Sequence, residues 1–215
     1  MGLCSSHIDV HMIDNPYRSS GEKRPQPQTK QALRAMLERY CKGSRSYGEP
    51  NTWDVTLIKD MKYLFAELDN FNAPVSLWDV SGVWNMCAMF EGATSFNQPL
   101  NVWDTSSVKI MTRMFHRATS FNCCLDAWDT SSVTDMYGMF KCATSYNWPM
   151  EALGSMAWDT SKVVNMSNMF QGAISFNQPL KSWNLVSVED NEGMFDGAAA
   201  MEDVNKPMLD IVDLY

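Results

Sequence analysis

Six tryptophans, Trp53, Trp78, Trp103, Trp128, Trp158 and Trp183, fall at steps of 25, 25, 25, 30 and 25 residues. No other feature restricts the fold of this chain as tightly, because other columns keep the same phase. Phe71, Phe96, Phe121, Tyr146 and Phe176 form one, each followed by Asn. Met61, Met86, Met111, Met136 and Met166 form another. Met-Phe recurs at 89–90, 114–115, 139–140, 169–170 and 194–195, and Ala follows each Phe by three residues. The shared string is W-D-[TV]-S-x-V-x-x-M-x-x-M-F-x-x-A-x-S-F-N-x-P-L. A fixed period of this length means stacked units, since one unit cannot bury its apolar side alone.

Within a unit, Val108, Met111, Met114, Phe115 and Ala118 have the spacing of one face of a short helix. Asp104 to Ser107 precede it and offer side-chain oxygens to its first N–H groups. Gly92, Gly172 and Gly197 fall where such a helix stops. A short parallel strand is placed near Leu100 to Trp103, with the Val-x-x-Met segment as the alternative position. The expected fold is therefore an α/β solenoid: about six coils of 25 residues, each a short strand plus a short helix. Pro74, Pro99, Pro149 and Pro179 share a column and mark a bend outside any ladder. Departures are local. Five extra residues lie between Trp148 and Ala157, Asn184 replaces Asp, Asn191 replaces Met, and a degenerate seventh copy begins at Met201.

The flanks read differently. Residues 1–27 are polar and contain Pro16, Pro25 and Pro27, which predicts a disordered tail. Residues 28–48 hold Leu33, Met36, Leu37 and Tyr40 at helical spacing and predict an N-terminal capping helix and lead-in. The repeats occupy 49–200, and 201–215 form a C-terminal cap.

The repeat string, its lead-in helix, and Tyr47-Gly48 with Trp53-Asp54-Val55 resemble the bacterial surface protein 26-residue repeat, of the BspA-like leucine-rich-repeat surface proteins. The resemblance covers about Trp53 to Ala198. It implies a leucine-rich-repeat-like solenoid in which Met, Phe and Trp replace leucine. It also implies a surface or adhesion protein, and it brings no catalytic residues.

Composition narrows the function classes. A net charge of -8 argues against nucleic-acid binding, which needs a basic footprint. No nucleophile–base set, acid–base pair or phosphate loop stands out, so the chain reads as a non-enzyme with no cofactor. The Asp column (Asp54, Asp79, Asp104, Asp129, Asp159) reads as caps and turns rather than calcium sites, which need six or more oxygens each. Met columns read as flexible core filler. The six cysteines include Cys123, Cys124 and Cys142, each alone in its column, so no disulfide ladder is expected. His7 and His11 lie four apart in the polar tail and are not read as a metal site. No apolar run is long enough to cross a bilayer, and the first residues lack a secretory h-region.

Two sets of residues remain as candidate sites. "MGLCSS" matches an acylation signal, with Gly2 for a myristoyl and Cys4 for a palmitoyl chain. Two chains anchor stably where one alone is marginal. Off-register residues supply the other set: Trp84, Tyr137 and Trp148, with a basic patch of Arg113, His116 and Arg117. Aromatics and Arg are favoured at interfaces. The functional expectation is a module that binds a protein or glycan through one side of the array. The alternative is a dually acylated scaffold on the cytosolic membrane face.

Overall fold

The structure is a computed structural model, and it describes residues 24–150 and 158–208. The acylation motif with Gly2 and Cys4, His7 and His11, and most of the 1–27 tail lie outside the described residues, as does 209–215.

Helix α1 spans Lys30–Cys41. Thr29 starts it by accepting a hydrogen bond from the Ala32 N–H, 3.1 Å. Ser44 and Gly43 end it by donating to the Arg39 and Tyr40 carbonyls, with Gly43 left-handed at φ 89°. Leu33, Met36 and Leu37 are buried against the first repeat. Before the helix, the Pro25 carbonyl accepts from the Asp54 N–H at 2.9 Å, and Pro27 is buried. That much of the tail is held against the repeats.

The α/β solenoid of strand-plus-helix coils is not what this chain builds. Among the described residues α1 is the sole α-helix, and no strand forms. Parallel pairing is confined to isolated bridges linking Asp60, Asn85, Ile110, Asp135, Asn165 and Asp190 in succession. The reason lies in the sign of φ. Tyr63, Ala88, Arg113, Gly138, Asn168 and Gly193 have φ of 50–62°. Four residues on, Glu67, Gly92, Arg117, Cys142, Gly172 and Gly197 have φ of 56–69°. An α-helix requires negative φ throughout, so a left-handed residue every fourth position forbids it. The Met-x-x-Met-Phe segment is instead a chain of tight turns. Met114 donates to the Met111 carbonyl, Ala118 to Phe115 and Phe121 to Ala118, each three residues back. The leucine-rich-repeat-like assignment falls with the strands.

Turns leave alternate N–H groups free to bond to the next repeat. Met86, Ala88, Phe90 and Gly92 donate to the Ile110, Thr112, Met114 and His116 carbonyls at 2.8–3.0 Å. On another side the sense reverses: Trp84 donates back to Lys59, Lys109 to Trp84, and Thr134 to Lys109. A third row runs through side chains. The Asn72 Oδ1 accepts from the Asn97 N–H, Asn97 from Asn122, Asn122 from Asn147, and Asn147 from Asn177, at 2.9–3.0 Å. Backbone polar groups of the interior repeats are thereby satisfied by their neighbours.

Inside these rows the apolar columns stack. Phe90, Phe115, Phe140 and Phe170 lie 5.5–5.6 Å apart with nearly parallel planes. Phe96, Phe121, Tyr146 and Phe176 repeat at 5.9–6.1 Å. Each such ring is fully buried and contributes about 1.5–3 kcal/mol. The indole N–H of Trp78, Trp103, Trp128 and Trp158 reaches a carbonyl of the preceding repeat: Pro50, Val75, Leu100 and Leu125. Among the described residues Trp183 has no such partner. It lies one repeat beyond the five extra residues.

Candidate functional site

The Asp column is consumed by turn formation. The Oδ1 of Asp54, Asp79, Asp104, Asp129 and Asp159 accepts the N–H two residues on, from Thr56, Ser81, Ser106, Ser131 and Ser161, at 2.9–3.1 Å. The hydroxyl and N–H of Ser161 hold the Asp159 carboxyl below its ordinary pKa. Asp60, Asn85, Asp135, Asn165 and Asp190 close a second set of such turns. Among the described residues no three His, Cys, Asp or Glu side chains are grouped as a metal site.

The basic patch is brought together and also neutralised. Arg113 and His116 both contact the Glu91 carboxylate, His116 through Nδ1 at 3.1 Å. Arg113 Nε donates to the same Nδ1 at 3.2 Å. Nδ1 therefore lies between a guanidinium and a carboxylate, and the ring tautomer decides whether it accepts from Arg113 or donates to Glu91. Burial lowers the His116 pKa from 6.5; Glu91 opposes the shift and Arg113 adds to it. Arg117 lies 3.8 Å from Glu67, and both side chains are mostly exposed. The partners Glu67 and Glu91 are invisible to a scan for basic clusters. They stand two repeats and one repeat away, and only the period reveals them.

The aromatics separate into held and standing. Trp148 is half-buried, packs on the core, and donates its indole N–H to the Asn122 carbonyl. Tyr137 is half-buried, its N–H donating to Asp135 Oδ1 at 2.9 Å and its carbonyl accepting from Arg113. Trp84 is 42 % exposed. Its backbone is fixed on both sides, its N–H to the Lys59 carbonyl at 3.0 Å and its carbonyl to the Lys109 N–H at 2.9 Å. Exposed Lys59 and Lys109 therefore flank it in one column. Trp84 and Tyr137 stand two repeats apart in different columns, so they do not form one contiguous patch. Shallow concavities also adjoin α1; one of ≈ 380 Å³ is lined by Lys30, Arg34, Lys62 and Tyr63 among others.

These features define a repeat protein of stacked turns, with an aromatic interior and a polar, turn-rich exterior. The chain matches the model of a family described as "Mycoplasma protein of unknown function, DUF285", over residues 32–153 and again over 125–210. It belongs to that family. No curated protein and no solved structure matches it.

Proposed function

We propose that the chain is a non-enzymatic binding module that engages a protein or glycan through the side of the array bearing Trp84. One observation carries the reading: Trp84 presents its indole to solvent on backbone bonded to the repeats on both sides. A fixed aromatic loses little conformational freedom on binding, and Trp is favoured at binding hot spots. Lys59 and Lys109 beside it suit a partner with acidic or hydroxyl-rich groups. The resemblance to the bacterial surface protein 26-residue repeat supports a cell-surface address for such a module.

The test uses purified chain as bait for extracellular protein and glycan fractions. Trp84→Ala should reduce capture of the native partner by about tenfold or more. Undiminished capture by a variant with an unchanged thermal melt refutes this face. The acylation signal at Gly2 and Cys4 supports a second reading, a tethered scaffold on the cytosolic membrane face. Mass spectrometry of the native N-terminus decides it, since an unmodified Gly2 removes it.

A further inference from the structure

The two ends of the array are chemically unlike. Each repeat donates a row of alternate N–H groups to the carbonyls of the next. Met166, Asn168, Phe170 and Gly172 give theirs to Asp190, Glu192, Met194 and Asp196 at 2.8 Å. The first repeat thus has carbonyls with no repeat before it. Arg34 of α1 covers two of them, its Nη1 donating to Leu64 and Ala66 at 3.0 and 2.8 Å. Among the described residues the last repeat shows the converse. The N–H groups of Asn191, Gly193, Phe195 and Gly197 find no acceptor among the described residues.

Charge says what can fill that row. Glu189, Asp190, Glu192 and Asp196 border it, all exposed, and Glu202 and Asp203 follow on the next turn. Lys206 is engaged with Asp203 at 2.7 Å. A free anion, the usual ligand of aligned N–H groups, is repelled by these carboxylates. A neutral carbonyl is accepted, and positive side chains beside it gain. The terminal Phe195 ring, stacked on Phe170 at 5.6 Å, already has an ammonium, that of Lys206, 5.9 Å from its centre. A second copy of the chain fits poorly. Two carbonyls of its row are already taken by Arg34, and each copy carries a net charge of -8.

We infer that this end docks a lysine- or arginine-rich peptide segment of a partner protein. Its main-chain carbonyls accept from Asn191, Gly193, Phe195 and Gly197, and its basic side chains meet the surrounding carboxylates. Main-chain pairing supplies attachment and the charges supply selection, as in other edge-addition complexes. The surface is independent of Trp84.

The probe is a labelled, end-blocked peptide of alternating Lys and Val, with a Glu/Val peptide as its counterpart. Binding is followed by anisotropy at two salt concentrations, and amide exchange by NMR on the full chain. The Lys/Val peptide should bind, the Glu/Val peptide should not, and added salt should weaken the complex. Glu192→Lys with Asp196→Lys, both at exposed positions, should weaken binding by about tenfold. Trp84→Ala should leave it unchanged. The amides of Asn191, Gly193, Phe195 and Gly197 should exchange quickly in the free protein and slow on binding. Binding that leaves these amides unprotected is diffuse charge attraction and overturns the inference. So does protection already present without peptide, which assigns the row to the chain's own residues or to self-association.

Discussion

A stack of rings predicts that position along the array, rather than residue type, sets the cost of losing a ring. Phe115 is fully buried, with Phe90 and Phe140 at 5.5 Å, Phe121 at 4.1 Å and Trp128 at 6.2 Å. Truncation to Ala removes the ring and leaves a cavity bounded by rigid neighbours, at about 3–5 kcal/mol. Phe195 stands in the same column but is half-buried, and Phe170 at 5.6 Å is its ring partner. Less area is lost and one ring pair is broken, so the same substitution should cost about 1–2 kcal/mol. Phe115→Leu is the control: it keeps most of the volume while losing four ring pairs, and should fall between them. Urea unfolding followed by tryptophan fluorescence reads this out, because the indoles of Trp53, Trp78, Trp103, Trp128, Trp158 and Trp183 are buried. Phe195→Ala should add a shallow early phase as the last repeat frays, since end repeats open without the centre. If Phe195→Ala proves as costly as Phe115→Ala, nearest-neighbour stacking is not what holds the array together.

Three further outcomes follow from local geometry. Tyr146 buries a hydroxyl that has no hydrogen-bond partner among the described residues, in a column otherwise built of Phe; Tyr146→Phe should stabilise by about 1–2 kcal/mol, measured by chemical denaturation. Arg117 sits at φ 59° in a column where Gly92, Gly172 and Gly197 also occur; Arg117→Gly should raise the melting temperature through about 1 kcal/mol of relieved strain, because its exposed pair with Glu67 contributes little. Burial holds the folded-state pKa of His116 below 6.5, so the unfolded chain binds its proton first. Stability should therefore fall as pH drops below about 6.5 towards the folded value, and His116→Gln should lack that part of the slope in melts recorded across the same range.

The sequence displays the interior far better than the backbone. Columns of Trp, Phe and Met at a fixed period could lie together only by stacking, and these side chains are indeed buried. The capping helix was readable from Leu33, Met36 and Leu37, because a helix turns through the same angle at each residue. Inside the repeat the same logic misled. Val108, Met111, Met114 and Ala118 share one face in a helix, and a chain of turns with inward residues three or four apart places them equally well. The discriminating sign was present in Gly138, Asn168 and Gly193, residues that tolerate left-handed φ, but Tyr63, Ala88 and Arg113 occupy the same column and hide it. The candidate site was less legible still. Trp84, Arg113 and His116 can be picked out as irregular letters, whereas their partners depend on which letters lie one and two repeats back. The open row at the last repeat consists of main-chain atoms, which no side-chain alphabet reports.

The five extra residues before Trp158 show how forgiving one corner of each repeat is. The Trp158 N–H donates to the Met150 carbonyl at 3.4 Å, and its indole lies parallel to that of Trp128 at 6.4 Å. The phase resumes there, with Trp183 continuing the indole column at 6.3 Å from Trp158. Equivalent corners recur along the whole length, so foreign loops could be spliced into several at once, giving a ruler that carries grafted epitopes at nanometre and sub-nanometre intervals.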